Sequence, residues 1–212
     1  MKIALFGASG GTGTLLTNRC FASGHQVSAL LRSPDIFPLR EKVDVIYGDA
    51  CDPHAVLETV RGADVVLSAL GARSLGKEDV LERGVPNIVA AMQQTGVHRI
   101  IALGSAGALP DSLKKQPFYR RWIVQKILYN TLLRWPVASQ IAQYATLSAT
   151  DLDWTIVMPP MLRNTTARGR YRIDGEALPR NGSSISREDV ADFMMQQLTD
   201  SQWIRKGVYI SL

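Results

Sequence analysis

Residues 7–13 read Gly7-Ala8-Ser9-Gly10-Gly11-Thr12-Gly13, three glycines at GxxGxxG spacing. They stand between an apolar run at 2–6, which reads as a short buried strand, and an apolar-periodic segment at 14–22, which suits a helix. A chain that turns from strand into helix over so few residues needs glycine for the tight turn and for close packing of helix on strand. The first turn of such a helix also leaves N–H groups without intrahelical partners, which makes it a seat for an anion. The expectation is a dinucleotide whose pyrophosphate rests on residues 7–13. A merely structural glycine turn is the competing reading, and the strand-turn-helix context, more than the spacing, weighs against it.

The rest of the chain repeats that rhythm. Strands are expected at 26–31, 43–47, 64–69 and 99–103, with helices at 53–60, capped by Asp52 with Pro53 in first position, and at 78–94. Strands alternating with helices predict a doubly wound parallel α/β sheet of Rossmann type. Residues 109–149 break the pattern. Two apolar helical stretches, around 122–133 and 139–148, are separated by Pro136, and together they read as a helical flap. A strand at 154–158 stops at Pro159 and Pro160, and residues 169–178 alternate like a small hairpin around Asp174 and Gly175. Ser186, with Asp189 three residues later, opens a last helix, and 208–211 closes the sheet. At 212 residues without a linker, the expectation is one domain, 1–212.

Composition narrows the function classes. With 46% apolar and 20% charged residues and no low-complexity tract, the chain has a globular make-up. No apolar run approaches the roughly 18 residues of a membrane span, and the first one is cut by glycines, as a buried strand and not a signal peptide would be. Two cysteines, Cys20 and Cys51, lack CxxC spacing, and His25, His54 and His98 form no ligand set, so no metal site is expected and a reducing cytoplasmic setting fits. The net charge of +5 is not gathered into one basic block, which argues against nucleic acid. A small-molecule substrate is the expected partner, with no membrane and no nucleic acid, and a homo-oligomer is compatible with the sequence.

Other candidate site residues fall where strands end. Arg32 closes the second strand, where an acidic residue would hold the ribose of NAD; a guanidinium there suits the 2′-phosphate of NADPH, a solvated surface arginine being the alternative. Asp49 and Ala50 follow the third strand, Leu70, Gly71, Ala72 and Arg73 the fourth, and Ser105 the fifth. Asp49 is placed to read an adenine amino group or to serve as a loop hydrogen-bonder. Ser105 is placed to bond a carboxamide or substrate oxygen, or simply to cap a helix. In the flap, Phe118, Tyr119, Trp122, Ile123 and Tyr129 suit the lining of an aromatic pocket or ordinary core packing.

These residues in this order, with GVPNIVAAM at 84–92, TIVMPP at 155–160 and Ser186-Arg187-Glu188-Asp189-Val190, resemble the NAD(P)H-binding atypical short-chain dehydrogenases of the NmrA-like group, and within it the biliverdin-IXβ (flavin) reductases. The resemblance covers nearly the whole chain. It implies an NADPH site in which Asp49 and Ala50 flank adenine, Ser105 and residues 158–160 (Met158, Pro159, Pro160) border nicotinamide, and Ser105 is the catalytic candidate. Met161, Tyr119 and Trp122 are the substrate candidates; Met161 stands where that relative carries histidine. No Tyr-x-x-x-Lys pair exists, because Tyr119, Tyr129 and Tyr144 are followed four residues later by Ile123, Leu133 and Ser148. The expected activity is hydride transfer from NADPH to a conjugated or aromatic acceptor such as a flavin, quinone or tetrapyrrole. A nonenzymatic NADP(H) sensor acting through a protein partner is the alternative.

Overall fold

The computed structural model describes residues 1–72, 74–124, 131 and 133–212. Its strands are β1 (Lys2–Phe6), β2 (Gln26–Leu31), β3 (Asp44–Tyr47), β4 (Val65–Ser68), β5 (Arg99–Leu103), β6 (Asp153–Met158), β7 (Met161–Arg163), β8 (Arg172–Asp174), β9 (Ser184–Ser186) and β10 (Lys206–Ser211). Its helices are α1 (Gly11–Ala22), α2 (Pro53–Val60), α3 (Val80–Thr95), α4 (Phe118–Ile123), α5 (Arg134–Ser148) and α6 (Arg187–Gln196). Eight strands form one sheet in the order β3-β2-β1-β4-β5-β6-β10-β8, all parallel except β8, while β7 and β9 pair separately.

Both faces of this sheet are covered, so its strands alternate between two cores rather than between core and water. In β1, Ala4 and Phe6 join one core with α2 and α3, while Ile3 and Leu5 join the other with Leu16 of α1 and Val190 and Phe193 of α6. The expected Rossmann-type sheet is therefore present, and Asp52 caps α2 by accepting from the His54 N–H at 2.9 Å. Among the described residues no helix is long and apolar enough to cross a membrane, and no cluster of three or more His, Cys, Asp or Glu is arranged to hold a metal.

Two expectations are corrected. Residues 169–178 do not fold back on themselves as a hairpin. Asp174 Oδ1 accepts from the N–H groups of Glu176 and Ala177, the chain turns away, and β8 pairs antiparallel with β10, whose outer edge would otherwise be open. Pro136 does not separate two helices either. It is the third residue of α5, in the first turn, where its missing N–H costs no intrahelical bond. The first expected flap helix begins earlier, as α4, and much of 122–133 lies outside the described residues.

The start of α6 is held from an unexpected direction. Ser186 caps it as its spacing with Asp189 suggests, accepting from the Asp189 N–H at 2.9 Å. The Asp189 carboxylate, 1% exposed, also takes the N–H groups of Arg168 and Gly169 at 3.0 and 2.9 Å and the Ser186 hydroxyl at 2.7 Å. Burial alone would raise its pKa, but these donors outweigh it and hold the carboxyl below its ordinary value of 3.8. Removing the carboxylate takes the acceptor from the buried Ser186 hydroxyl and from the Arg168 and Gly169 N–H groups, so Asp189→Ala is expected to cost about 3 kcal/mol at pH 7. A group depressed in the folded state stabilises above its unfolded pKa and stops doing so as pH falls through its folded value. In urea unfolding the gap between variant and wild type should therefore be full at neutral pH and narrow well below pH 3.8.

Candidate functional site

The strand order reverses between β1 and β4, and a cleft of about 1160 Å³ opens there along the carboxyl ends of β1, β2, β4 and β5. Its floor is the glycine turn. Gly7 takes a left-handed φ of +76°, and a Cβ on it would come within 2.6 Å of the Ala69 carbonyl oxygen. A Cβ on Gly13 would lie 2.0 Å from the Gly7 carbonyl oxygen, so this glycine lets α1 pack onto the turn. Gly7, Ser9, Gly10, Gly11 and Thr12 line the cleft, whereas Ala8, wholly buried, and Gly13 hold the turn from beneath.

Gly10 is different. It caps α1 with ordinary extended backbone, no side chain caps the helix, and no acidic residue stands in its first turn. A Cβ on Gly10 would meet only the Gly7 carbonyl, at 3.3 Å, and one on Gly71 would meet nothing within 4 Å. Packing does not demand glycine at Gly71, and at Gly10 a Cβ would need the Gly7 carbonyl to give by only a few tenths of an ångström, so most of the space they leave belongs to the cleft. An uncapped helix start facing such space fits a pyrophosphate.

At one end of the cleft Arg32 Nη1 lies 3.5 Å from Asp49 Oδ2, both side chains about two-fifths exposed. Asp49 Oδ1 accepts from the Cys51 N–H at 2.8 Å; that bond first, and Arg32 beside it, keep the carboxyl below its usual range. The loop is positioned by α3. Gly84 packs against Ala50, where a Cβ would approach the Ala50 Cβ to 3.0 Å, and Asn87 Nδ2 donates to the Ala50 carbonyl at 3.0 Å.

In the middle, Leu70, Gly71 and Ala72 line one wall; Arg73 lies outside the described residues. Ser105 lines the opposite wall beyond β5, its hydroxyl oxygen accepting from the Gly107 N–H at 3.3 Å, which leaves the hydroxyl hydrogen free to donate. The stretch is tied to the end of β6 by Gly104 N–H to the Val157 carbonyl and Ala106 N–H to the Pro159 carbonyl, at 2.7 and 2.9 Å. Neither Met158 nor Pro159 lines the cleft. Met158 is wholly buried, its side chain packed against Gly104 and Gly207, and the lining passes to Pro160, Met161 and Leu162.

The flap closes the far half, but not with the expected residues. Tyr119 and Trp122 are 64% and 51% exposed and do not line the cleft; the same helix turns Arg120, and Val124 one turn later, toward it. Residues four apart share a helix face, and 119 and 122 lie on another. Tyr129 lies outside the described residues. Two further lining residues carried no local signal: Glu78, whose Oε1 accepts from the Ser74 N–H at 2.8 Å, and Arg187. The Arg187 side chain lies across the glycine turn, with its Cδ and Nε 3.0 Å from where a Gly11 Cβ would be, and Nη1 donates to Asn164 Oδ1 at 2.6 Å. Only its place at the start of a capped helix was visible in the sequence. Among the described residues, the cleft lining contains no His, Lys, Tyr or Cys.

Residues 7–201 match the NAD(P)H-binding family. In an uncharacterized protein of Mycobacterium tuberculosis, a 107-residue stretch is 38% identical, taking up 50% of this chain and 12% of that protein. The fold is similar to that of an anaerobilin reductase of Escherichia coli O157:H7, at a TM-score of 0.81 and 22% identity over 100% of this chain and 97% of the other. It is also similar to a short-chain dehydrogenase/reductase of Veillonella parvula in complex with NADP, at a TM-score of 0.80 and 21% identity over 100% and 94%.

Proposed function

From the premise that the chain belongs to the NAD(P)H-binding family, we propose that it is an oxidoreductase of the short-chain dehydrogenase type, an NADPH-dependent reductase of a conjugated or aromatic small molecule. The observation that carries the cofactor half is Arg32, a cation at the end of β2 where a dinucleotide seated on residues 7–13 presents its ribose. The uncapped start of α1 and Arg187 would hold the pyrophosphate, Asp49 and Ala50 the adenine, and residues 70–72 the path between them. The Veillonella structure, which holds NADP, supports the same reading.

The bound cofactor would supply a hydride. The protein's part is to hold and shield. With a volume of about 1160 Å³ the cleft exceeds the roughly 300–1,000 Å³ typical of one small ligand, which leaves room for an acceptor beside the cofactor. Ser105 donates a neutral hydrogen bond to an oxygen of the acceptor or the carboxamide. Unaided, a serine hydroxyl is too weak an acid to protonate the acceptor, and in this reading water supplies the proton that completes reduction. Flavins, quinones and linear tetrapyrroles suit such a site because they need less acid assistance than a ketone, and one protein of similar fold is named an anaerobilin reductase.

Following NADPH absorbance with flavin, quinone and tetrapyrrole acceptors tests the reading. Turnover with one of them supports it, and tight NADPH binding with no turnover of any would point to a cofactor sensor instead. Ser105→Ala should slow turnover about threefold to tenfold, the loss of one neutral hydrogen bond, with NADPH affinity nearly unchanged. Complete inactivation with cofactor still bound would mean that the serine does more than orient.

A further inference from the structure

Resting on that reading, and going on to the acceptor itself, we propose that the acceptor carries an anionic group and that Arg120 pairs with it. Helix α4 is arranged against the ordinary amphipathic pattern. Phe118, Tyr119, Trp122 and Ile123 stand in solvent, while Arg120 is half-buried and lines the cleft. The cleft lining it belongs to includes the apolar Leu113, Val124, Leu133, Val137 and Leu178 and, four residues before it, Gln116, whose amide nitrogen donates to the Leu178 and Pro179 carbonyls; none of these offers the guanidinium a counter-charge. Turning a cation rather than an aromatic ring into such surroundings is costly unless an anion meets it there.

Among the described residues no group of the protein fills that role. Among the described residues Arg120 takes part in no ion pair, although Lys114 and Lys115 just before it are both paired, with Glu176 at 3.3 Å and Asp174 at 2.6 Å. The two carboxylates that line the cleft are engaged elsewhere, Asp49 with Arg32 and the Cys51 N–H, Glu78 with the Ser74 N–H. Arg187 lies across Gly11 and belongs to the cofactor half. Among the described residues Arg120 is thus the cation of the acceptor half, and its planar fork matches a carboxylate, phosphate or sulfonate.

Matched probes separate charge from ring shape: riboflavin 5′-phosphate against riboflavin, and 1,4-naphthoquinone-2-sulfonate against 1,4-naphthoquinone, each titrated into NADP⁺-saturated protein. The charged member of a pair is expected to bind about tenfold to a hundredfold more tightly in the wild type, and within about twofold of its neutral partner in Arg120→Gln. Arg120→Lys should restore part of the preference, and NADP⁺ affinity should be the same in all three proteins. Intact NADP⁺ binding with no charge preference, with a preference that survives Arg120→Gln, or with none of the four probes bound overturns this proposal alone. A wild-type protein that does not bind NADP⁺ overturns the cofactor reading and this proposal with it.

Discussion

Gly10→Val is expected to weaken both NADPH and NADH by more than about a hundredfold while the protein stays folded. A glycine can be kept for the fold or for a ligand, and this turn contains both kinds. At Gly13 a Cβ would lie 2.0 Å from the Gly7 carbonyl oxygen, so even alanine must push α1 off the turn. At Gly10 it would lie 3.3 Å from its one neighbour, on backbone that any residue adopts. A valine there keeps the fold and fills the space above the start of α1. Calorimetric titration of both cofactors, with thermal unfolding as the control, checks both halves: a thermal midpoint near that of the wild type and no measurable binding. Unchanged affinity for NADPH would remove the pyrophosphate from this turn.

Arg32→Ala should weaken NADPH about tenfold to a hundredfold and leave NADH nearly untouched, the contribution of hydrogen bonds to a charged group that NADH lacks. The structure sharpens the reason. Arg32 lies 3.5 Å from Asp49, an exposed pairing worth little on its own, so a phosphate can compete for the guanidinium. Once the arginine is gone, the Asp49 carboxylate remains and repels the 2′-phosphate, which adds to the selective loss. Arg187→Ala is the comparison. Its side chain lies over Gly11 and would meet the pyrophosphate common to both cofactors, so both should weaken alike. Higher salt should narrow the wild-type preference for NADPH, since this exposed pairing is partly screened. Equal losses of NADH and NADPH in Arg32→Ala would refute the 2′-phosphate role.

The features readable in the sequence are those set by neighbours along the chain. The turn at residues 7–13, the cap at Asp52, the cap at Ser186 and the alternation of strands with helices all depend on residues within a few positions of one another, and each stands where local pattern puts it. The strand-end rule carried Arg32, Asp49, residues 70–72 and Ser105 to the cleft because a parallel sheet brings its carboxyl ends to one edge. The same rule failed after β6, where Met158 turns into the core and the lining begins at Pro160.

Periodicity says which residues share a face of α4, but not which face meets the cleft. The aromatic face was the natural choice, and packing of the flap turned Arg120 inward instead. Arg187 is far along the chain from the glycine turn it covers, and it arrives because α1 and α6 pack side by side in the core on one face of the sheet. Residues 169–178 alternate equally well for a hairpin or an edge strand, and the open edge of β10 settled the matter. The sequence alone thus determined the sheet, the helices and the glycine turn that floors the cleft, through contacts between near neighbours. Tertiary structure alone decided that Arg120 and Arg187 join Arg32 at the cleft, because that depends on how helices distant in sequence pack together.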